Sequence, residues 1–231
     1  MTEKAVVLLS GGLDSSTVLY QAQADGYECY ALSFDYQQRH QRELEAAQAI
    51  AQAAGVTQKV VRFDLGLWGG SALTDPTIPV PRDRAPQDMA DTIPITYVPA
   101  RNTIFLSFAL AYAEALSAHC VYLGVNALDY SGYPDCRPDY IQAMEQVFQL
   151  GTKQGRDEHP IAIKTPLIAL KKTEIIQLGN QLQVPWQKTW SCYQGEAEAC
   201  GRCDSCQLRL EAFQELGLTD PLPYRAKTGD A

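Results

Sequence analysis

What the chain lacks narrows its chemistry before any motif is read. No stretch of its 231 residues is long or apolar enough to cross a bilayer, so a membrane-spanning protein is not expected. It contains neither Gly-x-x-x-x-Gly-Lys-Ser/Thr nor Gly-x-Gly-x-x-Gly, which disfavours a Walker ATPase and a Rossmann dehydrogenase. Basic charge is in deficit: 19 Lys and Arg stand against 27 Asp and Glu, and a net charge of −8 sets the surface against a phosphate backbone. No nucleic-acid partner is therefore expected. Histidine is scarce; of the three, His119 precedes a strand-like run and His159 precedes Pro160, and a lone histidine is more often structural than catalytic. There is no internal repeat or low-complexity tract. The first strand-like run begins a few residues from Met1 and leaves no room for a signal peptide, so the expected location is cytoplasmic and Cys29 and Cys120 are expected as free thiols.

What is present alternates. Strand-like runs at Cys29 to Phe34, Lys59 to Phe63, Val121 to Val125 and Ile161 to Ile163 are separated by helical stretches near Arg39 to Ala54, Arg101 to Ala118, Asp139 to Leu150 and Leu170 to Leu182. That order predicts an α/β fold with a doubly wound, mainly parallel sheet. The helix near Arg101 is apolar on nearly every side and is expected to be buried against the sheet. The composition, 46% hydrophobic and 20% charged, suits one globular domain with a small appendage. We divide it as 1–170, an α/β domain, and 171–231, a helical segment. Over 64–99, prolines at 76, 79, 81, 86, 94 and 99 break the pattern, as in a lid or a mobile loop.

The most informative segment is the apolar run from Ala5 that passes directly into Leu9-Ser10-Gly11-Gly12-Leu13-Asp14-Ser15-Ser16-Thr17. A helix that opens after a glycine turn presents unpaired amide hydrogens and a positive dipole end, which together make an anion site. The serines and Thr17 add hydroxyl donors. Ser-Gly-Gly-x-Asp-Ser is similar to the signature of pyrophosphate-loop enzymes, which cleave ATP between its α and β phosphates.

A second motif is Cys192-x7-Cys200-Gly-Arg-Cys203-Asp-Ser-Cys206. Four thiolates so close together suit a closed tetrahedral zinc site. An iron–sulfur run would require cysteine at 210 followed by proline, and Leu210-Glu211 stand there. A third cluster, Gly124 to Pro138, interleaves tyrosines with carboxylates. Its rings could stack on a flat heterocycle and a carboxylate could accept from a guanine-like N–H edge; a polar Gly-Pro turn reads equally well on composition. The segment Phe34-Asp-Tyr-Gln37-Gln-Arg39-His40 follows the second strand and emerges at the same sheet edge as the phosphate loop.

Taken in order, the phosphate loop, Phe34 to His40, Tyr97-Val-Pro-Ala-Arg101-Asn102, Asp129 to Pro138, Thr165-Pro-Leu167 and Thr189-Trp-Ser-Cys192-Tyr193 with the three later cysteines resemble the QueC family of 7-cyano-7-deazaguanine synthases, from about Ala5 to Phe213. Where that family usually has glycine after Phe-Asp-Tyr, this chain has Gln37. The resemblance implies a pyrophosphate-loop (adenine nucleotide α-hydrolase-like) fold with a small zinc-bearing C-terminal segment. It implies an ATP-dependent ligase of queuosine biosynthesis that converts 7-carboxy-7-deazaguanine and ammonia to the 7-cyano compound, with AMP and pyrophosphate released. Leu9 to Thr17 would hold ATP, with Asp14 placed to hold magnesium or orient the loop. Arg101 and Lys172 would neutralise charge at the α-phosphate, although Lys172 reads equally as a solvated lysine beside Lys171. Arg39, His40, Asp129, Tyr133 and Asp135 would contact the substrate, zinc would sit on Cys192, Cys200, Cys203 and Cys206, and the enzyme would be a homodimer. A tRNA-modifying adenylating enzyme is the alternative.

Overall fold

In strand β1 (Lys4–Leu8) the side chains of Val6 and Leu8 pack on one face of the sheet while Ala5, Val7 and the following Leu9 pack on the other, and all five are buried. A strand apolar on both faces belongs in the middle of a parallel sheet covered by helices on each side. The computed structural model, which describes residues 2–39, 41–85, 93–128, 133–157 and 159–225, places β1 there. Strands β2 (Glu28–Asp35), β3 (Thr57–Arg62), β4 (Cys120–Tyr122) and β5 (Ala162–Lys164) complete a five-stranded sheet in the order β3-β2-β1-β4-β5. Every pairing is parallel, with Val6 set between Tyr30 and Val121. The chain steps outward from β1 to β3 and then returns to the other side of β1, so the order reverses between β1 and β4. Ligands of such sheets bind in the crevice at that reversal, beyond the strands' carboxyl ends.

Helices α1 (Leu13–Ala24) and α2 (Arg42–Ala54) cover one face. They are joined there by α6 (Lys172–Gln181) and α7 (Asp204–Glu215). Helices α3 (Arg101–Leu116) and α4 (Pro138–Gly151) cover the other, and α5 (Lys153–Arg156) is a single turn after α4. Helix α3 departs from the expectation of burial on nearly every side. Asn102, Leu106, Ala109 and Ala113 form the buried stripe, whereas Phe108 on the far side remains 40% exposed. A helix lying on a sheet buries one stripe whatever its composition, and the apolar residues of α3 exceed what that stripe can cover.

The expected division at residue 170 does not separate two cores. Ile175, Ile176 and Phe213 from the C-terminal part share one buried cluster with Val7, Val18 and Leu19. In its described part, the 64–99 segment is packed down: Ser71, Ala72 and Val80 are buried, and Arg39 donates to the carbonyls of Ala72 and Ile78 at 3.2 and 2.9 Å.

Candidate active site at the sheet reversal

The loop after β1 is wired to itself before any ligand arrives. Ser10 and Ser15 share a hydroxyl–hydroxyl hydrogen bond of 2.9 Å, and the Gly12 N–H donates to the Ser10 hydroxyl at 3.3 Å. Gly11 has φ +82°, and a Cβ there would lie 2.4 Å from the Ala47 nitrogen and 2.6 Å from the Glu43 carbonyl oxygen. Its glycine therefore lets the backbone of α2 press against the loop, a role different from the phosphate approach expected of it. Gly124, beyond β4, sits close under the start of α1, though less tightly, with 3.2 Å between its would-be Cβ and Ser15 N. The two loops that flank the reversal are thus in contact.

Asp14, in the first turn of α1, accepts both oxygens' worth of bonds from the Lys172 ammonium, at 2.8 and 2.9 Å. Lys172 is buried rather than solvated. It is delivered by the turn before α6, which Asn126 pins by donating to the carbonyls of Leu167 and Leu170. Arg101 begins α3 directly after Ala100, which is held in the left-handed region at φ 53°. The next residue's N–H is capped by Asp135 Oδ2 at 3.0 Å, so this carboxylate serves the helix start. Burial opposes the charge on Arg101, but Tyr36, Tyr133 and Asp135 around it outweigh burial and the guanidinium stays protonated.

These groups meet in a cavity of about 210 Å³. Leu9, Ser10, Gly12, Leu13, Asp14 and Ser15 line it together with Arg101, Lys172 and Tyr133. Gly11, Ser16 and Thr17 lie behind this lining: the Thr17 hydroxyl donates to the Leu13 carbonyl at 2.9 Å, and the buried Ser16 hydroxyl has no partner among the described residues. Arg39 and Asp135 are engaged away from the lining, in the contacts given above. His40 and Asp129 lie outside the described residues. Gln37 adopts φ 61°, so the loop keeps a left-handed residue where the resembled family usually has glycine.

The aromatic wall is preorganised. Phe34 and Phe105 stack at 3.9 Å with 5° between their planes, and the Tyr133 hydroxyl hydrogen-bonds Thr96 at 2.8 Å. Sequence reasoning missed two charged lining residues, Glu43 and Arg209. Burial pushes the Glu43 carboxyl up to about 7 against the opposing pull of Arg101. A signal for Glu43 existed, since it lies just past the Phe34 to His40 segment. None existed for Arg209, which faces out from a polar helix in the sequence but is almost wholly buried in the fold.

Beside the cavity the Sγ atoms of Cys192, Cys200, Cys203 and Cys206 all lie within 4.8 Å of one another. A tetrahedral ion with bonds of roughly 2.3 Å to sulfur requires separations of about 3.8 Å, so the donor set fits such an ion. Backbone N–H groups of Cys200 and Cys203 donate to the sulfurs of Cys192 and Cys200, both at 3.3 Å, which stabilises thiolates. The cluster is tied to the cavity through α7. Its Arg209 donates to Asp220 at 2.7 and 2.8 Å and to the hydroxyls of Thr189 and Ser191, and the neighbouring Trp190 N–H donates to the Gly11 carbonyl at 2.8 Å.

The model of the family described as queuosine biosynthesis protein QueC matches residues 4–217. A protein of a Nostoc species named 7-cyano-7-deazaguanine synthase is 72% identical over 222 residues, which cover 96% of this chain and 97% of that one. One of the same name from Thermoplasma volcanium is 57% identical over 97% of this chain and 92% of its own length. A solved structure described as a predicted subunit of a tRNA methyltransferase from Methanocaldococcus jannaschii superposes with a TM-score of 0.50 at 16% identity, covering 94% of this chain and 90% of that one. That likeness concerns the fold alone.

Proposed function

The chain belongs to the QueC family, and from that membership we propose that it is an ATP-dependent ligase that converts 7-carboxy-7-deazaguanine and ammonia to 7-cyano-7-deazaguanine. The names of relatives at 72% and 57% identity over almost their whole length support the reaction. The observation that carries it is that one cavity holds a Ser-Gly-Gly loop at the sheet reversal, the Asp14–Lys172 pair and an aromatic wall.

A carboxylate does not react with ammonia because its leaving group would be an oxide. Attack of the substrate carboxylate on the α-phosphate of ATP expels pyrophosphate and makes that oxygen part of a good leaving group. The loop from Ser10 to Ser15 holds the departing pyrophosphate with its N–H and hydroxyl donors. Lys172 and Arg101 neutralise charge that accumulates at the α-phosphate, and Asp14 positions Lys172. Magnesium would come with the nucleotide's phosphates, and Asp14, the carboxylate of the loop, would hold it. Ammonia then displaces AMP to give the amide. A second activation, on the amide oxygen, ends with loss of AMP and the remaining N–H protons to leave the nitrile, so two ATP are consumed per product.

Zinc on the four cysteines would fix the C-terminal segment, and closed four-sulfur coordination leaves it no open position for chemistry. The proposal includes a cytoplasmic homodimer. Exposed Leu67, Trp68 and Phe108 are apolar surface that a second copy would cover. The chain's acidity favours this reading over a tRNA-modifying one. Incubation with ATP, ammonium and 7-carboxy-7-deazaguanine, followed by mass spectrometry, should yield the nitrile with AMP and pyrophosphate. Release of ADP in their place would overturn it.

A further inference from the structure

Among the described residues that line the cavity, two are carboxylic acids. Asp14 is spent on Lys172. Among the described residues the Glu43 side chain makes no hydrogen bond or ion pair, and its charge neighbour is Arg101. Asp135, which the sequence offered as a base reader, is turned to the start of α3. Glu43 is partly buried in the cavity wall, and an acid there without a hydrogen-bond partner is one that a ligand's donors would complete.

We propose that Glu43 reads the guanine-type edge of the deazaguanine, its carboxylate accepting from the ring N1–H and the exocyclic amine. The assignment rests on the proposed reaction and adds the group that selects its base. The first turn of α2 places Glu43 against the phosphate loop, through the close approach of its backbone to Gly11. Tyr36, Phe105 and Tyr133 supply flat apolar faces in the same cavity. The two donors of the base match the two oxygens of one carboxylate, while the carboxyl that reacts lies on the opposite, pyrrole side of the ring.

Of the charged and titratable groups packed around Glu43, Arg101 of α3 favours its ionised form, and Tyr36 keeps its own proton through burial. The loop contributes Gly11, which has no side chain, and Asp14 is matched by Lys172. Burial keeps the carboxyl titrating near neutrality, so an incoming pair of N–H donors restores what desolvation removed.

The test compares wild type and Glu43→Gln with two substrates, 7-carboxy-7-deazaguanine and its analogue lacking the exocyclic amine. Wild type should show a KM about 10- to 100-fold higher for the analogue, the loss expected when a buried acceptor is left unpaired. Glu43→Gln should raise KM for the natural substrate by a similar factor, abolish the discrimination between the two, and leave KM for ATP unchanged. An unchanged KM for ATP also certifies that the variant folds. If Glu43→Gln keeps the discrimination, or lowers kcat with KM intact, Glu43 is not the base reader; the second result would make it a proton acceptor. If wild type turns over neither substrate, the proposed reaction fails, which is a separate outcome. The discrimination by wild type needs no variant, and its absence would overturn the assignment by itself.

Discussion

Gly11 has the least freedom of any residue in the site. A methyl group there would meet the backbone of Ala46 and Ala47 and the Glu43 carbonyl at 2.4 to 2.8 Å, in a conformation L-residues rarely adopt. Gly11→Ala should therefore destabilise the protein by about 2–4 kcal/mol, combining overpacking with left-handed strain. A denaturant midpoint unchanged from wild type would refute that packing. Glu43 makes a prediction of opposite sign. Its folded pKa, raised to about 7 from the ordinary 4.5, means the folded chain holds a proton that the unfolded chain releases between those values. Stability should fall as pH rises from about 4.5 to 7 through this residue, and Glu43→Gln should flatten that part of the curve and be more stable than wild type at pH 8. Thermal unfolding across pH tests this. The Ser-Gly-Gly loop was legible as a candidate because its residues are contiguous in sequence. Glu43 was marked only by its place just past the Phe34 to His40 segment, since its raised proton affinity comes from burial in the assembled fold, against the pull of Arg101.

At the scale of elements, the four-cysteine cluster and α7 are linked to the loop after β1 by a chain of contacts. Arg209 joins Asp220 to Thr189 and Ser191, and Trp190 bonds the Gly11 carbonyl. Arg209 and Asp220 are each 2% exposed in their side chains. Truncating the arginine would strand a buried carboxylate, so Arg209→Ala should cost about 3–5 kcal/mol. Cys203→Ser, or chelation of the metal, should lower the melting temperature and weaken ATP binding together, because the same contacts carry both effects. A metal-free protein with undiminished stability and ATP affinity would break this link. The cysteine spacing announced the cluster, but its coupling to the loop depends on pairing across eleven residues between Arg209 and Asp220, which no local pattern encodes. Helix α3 was misread for a related reason: apolar composition predicts a preference for burial, whereas the sheet offers only one face.

For the whole molecule, alternation of strands and helices disclosed the doubly wound sheet, and the reversal between β1 and β4 then located the crevice. Sequence did not disclose that the C-terminal helices share the core of the sheet. Because Ile175, Ile176 and Phe213 pack with Val7 and Leu19, unfolding should be one cooperative transition, and a chain ending at residue 170 should fail to fold. Two separated calorimetric transitions would contradict that unity.

The central claim is that the substrate's own oxygens leave on AMP. It is tested most directly with 7-carboxy-7-deazaguanine labelled with oxygen-18 in both carboxyl positions. The account predicts two AMP per nitrile, each carrying one labelled oxygen, with unlabelled pyrophosphate. Label in inorganic phosphate accompanied by ADP, or unlabelled AMP, would contradict it.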